Sequence, residues 1–177
     1  MKFDLIKYFY PKEIILIDFN FGNETFVNRF RPYIDQDRGY LYDEFYKSKK
    51  EYLGEINSTN FFIRNKRKFL NSNVSAAFAK GKITQVNNKT TVEIELNENN
   101  EFAAFGKIIT HLFLIALICL IIIKEIYPLL ILFIPFSIGF LALTNLLQKR
   151  KKEKFKENLL NIMYELRIEK NNLQNPF

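Results

Sequence analysis

Histidine and cysteine are the side chains most often recruited as metal ligands or nucleophiles, and this chain has one of each, His111 and Cys119. They stand eight positions apart in one apolar run. A metal site needs more ligands at tetrahedral spacing, and no third is in view. The next candidates are carboxylates. Glu93 and Glu95 lie two apart in KTTVEIELN, so on a strand they point the same way, about 7 Å apart. General acid–base chemistry needs convergent groups with tuned pKa values, and carboxylates on a wet strand face are routine. Asp18 in KEIILIDFNF is read the same way, as an outward strand residue. The run Arg64, Lys66, Arg67, Lys68, flanked by Phe61, Phe62 and Phe69, has the ingredients of a stacking platform for single-stranded nucleic acid. No ribonucleoprotein-type motif accompanies it, and it reads as a solvated loop near lipid headgroups. Tyr40, Tyr42, Phe45 and Tyr46 could form an aromatic binding face; a partly ordered cover over a sheet is the plainer reading. The expectation is therefore no catalytic residue, no cofactor, no metal and no nucleic-acid partner, and a protein that is not an enzyme.

What positions these residues is dominated by one stretch, 108–147. It reads IITHLFLIALICLIII, then KEIYP, then LLILFIPFSIGFLALTNLL. About 20 apolar residues cross a hydrocarbon core of about 30 Å. The second run suffices alone. The first reaches that length if 102–105 enter the interface and Lys107 snorkels. Lys124-Glu125 and Tyr127-Pro128 make the turn, with Tyr127 suited to the interfacial belt and Pro128 to the first turn of the next helix. Pro135 removes one backbone donor and is expected to kink the second span. Ala116, Cys119, Ser137, Gly139 and Ala142 are small and are assigned to helix packing.

Before the hairpin the pattern changes from strand to helix and back. Residues 1–10 suit a short amphipathic helix ended by Pro11; Asp4, Lys7 and Pro11 interrupt any signal-peptide core. Residues 12–21 are β-branched and aromatic and read as a strand. Residues 23–34 carry Phe26, Val27, Phe30 and Ile34 at helical spacing, with Asn23 or Thr25 as the cap and Pro32 near the end. A tyrosine-rich loop covers 35–50, and short strands fill 51–97. Asn57-Ser58 and Asn87-Asn88 are turn signals that tolerate positive φ. Val92, Ile94 and Leu96 alternate with Glu93 and Glu95, the mark of one buried face. Gly54 and Gly81 fall inside strands, where glycine marks a bulge or a close approach.

After the hairpin, Lys149, Arg150, Lys151, Lys152, Lys154 and Lys156 crowd the exit of the second span, whereas the turn carries only Lys124. Positive charge is retained on the cytoplasmic side, so both termini are expected in the cytoplasm. Lys107, Tyr127, Lys149, Arg150, Lys151 and Lys152 are assigned to the membrane interface. Phe155, Leu159, Ile162, Met163 and Leu166 form an apolar stripe that must be buried against the strand domain, another copy or the bilayer. The net charge of +7 agrees with anionic lipid as a neighbour. No disulfide framework is possible with a single cysteine.

The fold expected is an α+β membrane protein: a cytoplasmic domain over 1–101 built as a small antiparallel β-meander with one packed helix, a two-helix transmembrane hairpin over 102–147, and a basic amphipathic C-terminal helix over 148–177. In Tyr52-Leu53-Gly54-Glu55-Ile56, Phe62-Ile63-Arg64, Gly81-Lys82-Ile83 and Thr91-Val92-Glu93-Ile94-Glu95-Leu96 leading into Phe102, the chain resembles a set of uncharacterised bacterial two-span membrane proteins. It departs from them in its longer tyrosine-rich connection and in lacking a proline near Ala77. The resemblance implies a fold and a membrane address, and no activity; the address expected is the inner membrane of a bacterial cell. Three functions are carried forward: a non-enzymatic membrane-anchored interaction module whose partners are the bilayer and a protein or second copy; an accessory or immunity-like subunit recognised through its hairpin; and an enzyme with an unrecognised site.

Overall fold

The computed structural model describes residues 12–39, 48, 50–65, 77–97 and 101–173. The expected helix over 1–10, Tyr40 to Tyr46, and Lys66, Arg67, Lys68 and Phe69 lie outside these. The elements are β1 (Lys12–Phe19), α1 (Asn23–Phe30), a 3₁₀ turn (Arg31–Tyr33), β2 (Ile34–Gln36), β3 (Tyr52–Ile56), β4 (Asn60–Arg64), β5 (Phe78–Val86), β6 (Lys89–Asn97), α2 (Glu101–Ile123) and α3 (Pro128–Leu173). The protein is α+β, with a six-stranded mixed sheet and two long apolar helices.

The strand order is β1-β6-β5-β4-β3-β2. Strands β3 to β6 form the expected antiparallel meander. The sheet is larger than that meander at both edges. β1 pairs antiparallel with β6 over its full length, Lys12 opposite Asn97 and Phe19 opposite Thr90. β2 lies parallel to β3, Ile34 opposite Tyr52. This corrects the purely antiparallel expectation and the reading of 35–50 as loop from its first residue. The cause is Pro32. It sits in the 3₁₀ turn, where its missing donor costs little, and it ends α1 at Phe30 rather than at 34. Ile34 is then released to extended geometry and points into the core.

Local chemistry explains each turn. Asn87 and Asn88 have φ of 48° and 63°, the double left-handed geometry that a two-residue hairpin requires to match strand twist. Replacing Asn88 with Gly removes the Cβ penalty at this φ and is expected to stabilise the fold by about 0.5–1 kcal/mol. Asn88→Val should do the opposite, and the denaturant midpoint of each variant reads the sign. The β3–β4 turn works differently. Asn57 is held by side-chain acceptance, its Oδ1 taking the N–H groups of Thr59 at 2.9 Å and Asn60 at 2.8 Å. Helix α1 is not capped by Asn23 or Thr25, a second correction. Its cap residue is Gly22, and the free Asn23 N–H goes to Gln85 Oε1 on β5 at 2.9 Å. The Asn23 side chain is spent tying Ser58 and Thr90 together.

One face of the sheet carries the core. Phe19, Phe26, Phe30 and Phe61 form a continuous aromatic cluster, with Phe30 and Phe61 edge-to-face at 5.3 Å. Phe61 lies flat over Gly81, its cross-strand partner, where a Cβ would stand 2.0 Å from the ring. At Gly54 a Cβ would stand 1.9 Å from the Phe62 carbonyl. Both glycines are thus places of close approach, one by a ring and one by backbone. The same core includes Phe155, Leu159, Ile162, Met163 and Leu166 from α3. The stripe after the hairpin therefore packs on the strand domain. Arg29 fixes the two helices to each other, donating to the Leu166 carbonyl at 3.2 Å.

Candidate functional site

The hairpin is built from two helices of unequal length. α2 has 23 residues and α3 has 46, about 34 Å and 69 Å at 1.5 Å per residue. α2 ends at a C-cap in which Glu125 is left-handed, with φ of 57°. The Glu125 N–H donates to Ile122 and the Ile126 N–H to Ile121, satisfying carbonyls that the helix end would leave open. Pro128 opens α3 as its position in the sequence suggested. α3 then runs unbroken through Pro135 and out into the strand domain. Both helices are long and apolar enough to cross a membrane, and their apolar windows are almost wholly unburied by protein. Ile123, Ile131 and Leu132 are each more than 70% exposed.

The helices meet along a seam with a period near 3.5 residues. On α3 it passes through Leu130, Phe133, Ser137, Leu141, Thr144 and Gln148; on α2 through His111, Leu114, Ile118 and Ile121. Ser137 is in the seam and buried. Ala116, Cys119, Gly139 and Ala142 face away from it and are exposed. The seam follows periodicity rather than residue size, so smallness alone did not locate it. Four polar side chains of the two helices bond to backbone carbonyls of their own helix. Thr110 donates to the Gly106 carbonyl, Ser137 to Phe133 and Thr144 to Leu141. His111 donates from Nδ1 to the Lys107 carbonyl at 2.7 Å. Among the described residues no three His, Cys, Asp or Glu side chains gather to hold a metal.

Where α3 leaves the apolar stretch, its basic run divides by helix face. Lys152 is buried and turns inward to Glu13 of β1 at 3.1 Å. Lys156, one turn on, bonds the other Glu13 oxygen. Lys149, Arg150 and Lys154 are exposed on the opposite side, and Lys151 is half-buried. Burial lowers the Lys151 pKa. Lys107 and Tyr127 lie at the start of α2 and in the turn, at opposite ends of the hairpin. The Glu13 carboxyl is held below the usual carboxylate range, chiefly by the Lys156 hydrogen bond and further by Lys152, against opposition from burial. A depressed carboxylate stabilises the fold above its unfolded pKa, here near 4.5. That contribution is lost as pH falls through the lower folded value. Glu13→Gln is expected to cost about 2 kcal/mol at neutral pH, because it removes the charge that Lys156 and the buried Lys152 share. The cost should shrink as the pH falls below about 4.5 toward the lowered folded pKa; thermal unfolding followed from pH 7 downward into acid checks both.

The wet face of the sheet holds the carboxylates singled out from the sequence. Asp18 accepts from the Thr91 hydroxyl at 2.7 Å. Glu95 accepts from Asn97 at 2.9 Å and pairs with Lys12 at 3.0 Å, which together lower its pKa. Glu93 is exposed opposite Lys82 and Leu16. These are cross-strand contacts of the kind that stabilise sheets, and they do not converge on a cleft. Arg64 departs furthest from expectation. Instead of lying in a solvated loop it is fully buried, its guanidinium forked onto Asp37 at 2.7 and 2.6 Å. Burial pushes Asp37 up, but the Arg64 bonds and the Gly39 N–H outweigh it and hold the carboxyl low. Phe61 is likewise in the core, so neither residue is presented to a nucleic acid. Tyr52, also buried, stacks edge-on to Phe155 at 5.5 Å, and burial raises its phenol pKa.

Comparison with known protein families, with curated proteins and with solved structures returned no match.

Proposed function

We propose that the chain is a membrane-anchored interaction module without catalytic activity, held by its hairpin in the inner membrane of a bacterial cell with both termini cytoplasmic. One observation carries the reading: the helix that forms half of the hairpin also supplies a wall of the strand domain's core. An anchor joined in this way holds a sheet at fixed height and orientation over the bilayer. The sheet then offers a partner its outer face, where Ile14 and Leu16 of edge strand β1 are exposed beside Lys12 and Asp18. The paired state of Asp18 and Glu95 supports a binding surface over an acid–base site. Cross-linking in membranes, followed by exchange of Ile14 and Leu16 for Lys, tests this. Loss of a specific cross-linked species supports the module; an unchanged pattern removes the sheet face from the proposal.

A second reading, an accessory or immunity-like subunit recognised through its spans, is favoured by the outward position of Gly139 and Ala142. Small residues let another helix approach closely in lipid. Exchanging the hairpin for an unrelated one separates the readings, since only a module that works through its sheet survives the exchange.

A further inference from the structure

We infer that the outward half of the basic run forms a docking groove for anionic phospholipid headgroups, and this inference rests on the membrane reading above. A groove of about 520 Å³ lies along α3, lined by Leu146, Lys149, Arg150, Glu153, Lys154 and Glu157 among others. Its lining is ordered by height above the apolar stretch that ends at 147. At 1.5 Å per residue, Lys149 and Arg150 stand about 3 and 4.5 Å beyond that end, and Lys154 about 10.5 Å. The headgroup layer on each side of the hydrocarbon core is about 5–7 Å thick. Helical side chains lean toward the N-terminus of their helix, which for α3 is toward the membrane. The Lys154 ammonium therefore reaches back to the layer that Lys149 and Arg150 occupy.

Charge and polarity follow the profile of a lipid molecule. Leu146, Arg150 and Lys154 form one row at four-residue spacing, apolar and then cationic, with no carboxylate in it. The carboxylates Glu153 and Glu157 belong to the neighbouring row headed by Lys149. Glu153 also acts on Lys156, and Glu157 stands about 15 Å beyond the apolar end, clear of the headgroups. Three cations against two carboxylates is a small net charge, but Lys149 and Arg150 lie nearer the bilayer than either carboxylate. Lys149, Arg150 and Lys154 also have no ion-pair partner among the described residues, in contrast to Lys152 and Lys156, which share the Glu13 carboxylate. The basic run thus splits into an inward clamp and an outward cradle, and the cradle is its fully exposed part.

The purified full chain in detergent, offered equimolar phosphatidylglycerol and phosphatidylcholine and read by native mass spectrometry, tests this. The wild type should favour phosphatidylglycerol ten- to a hundredfold, since each cation near an anionic surface contributes about 1 kcal/mol and the carboxylates subtract from the sum. The K149Q/R150Q/K154Q variant should bind the two lipids equally, and K149R/K154R should keep the preference. A wild type without preference, or a triple variant that retains it, overturns the inference. Alkaline extraction of membranes that contain the full chain separates it from the broader reading. A chain released from the bilayer fails both, whereas one that stays without lipid preference fails this inference alone.

Discussion

Ending the chain after Leu147 is expected to unfold the strand domain while leaving both spans in the bilayer. Phe155, Leu159, Ile162, Met163 and Leu166 are all at most 8% exposed in the native core. Burying one such side chain contributes about 1.5–3 kcal/mol, so the five together contribute about 8–15 kcal/mol. The whole stability of a domain is about 5–15 kcal/mol. No redistribution among the remaining contacts offsets a loss of that size. Limited proteolysis of membranes should show the truncated chain cut throughout the sheet, where the full chain resists. A milder version keeps the chain intact: Leu159→Ala should cost about 2–5 kcal/mol through the cavity it opens. A protease-resistant sheet in the truncated protein would mean that the strand domain is self-sufficient and that α3 merely rests on it.

The second large effect belongs to Asp37. Removing one member of a buried ion pair leaves the other charge uncompensated, at a cost of about 3–5 kcal/mol. Arg64 has no exposure to solvent with which to recover, so Asp37→Ala should fall in that range. Replacing the pair together, as Arg64→Met with Asp37→Ala, should cost much less, because no charge remains to be desolvated. Denaturant unfolding of the single and double variants in detergent reads the difference. Near-equal losses would show that shape rather than charge makes this contact.

How much of this was legible in the sequence depended on how far apart the causes lie. The hairpin was visible because span length is a local property of composition. The stripe from Phe155 to Leu166 was visible in its period, and its destination followed once the sheet had an open face. Asn87-Asn88 disclosed a turn because the φ it needs is rare for other residues. Gly54 and Gly81 disclosed close approach for the same kind of reason. What was hidden was non-local. The partner of Arg64 lies 27 positions away, and nothing in a local basic run marks one member as buried. β2 is three residues long, too short for alternation to register. Pairing of β1 with β6 joins strands more than 70 positions apart. The helix seam was missed because small size suggests contact, whereas the meeting of two helices selects positions by period.

The central claim is that lipid, not water, covers the hairpin, and Cys119 tests it directly. It is the one cysteine in the chain and is exposed on the outward side of α2. In membrane vesicles made permeable without detergent, a charged maleimide should leave Cys119 unlabelled and should label it fully once the chain is unfolded in sodium dodecyl sulfate. Rapid labelling of the folded protein would place water at Cys119 and contradict the account.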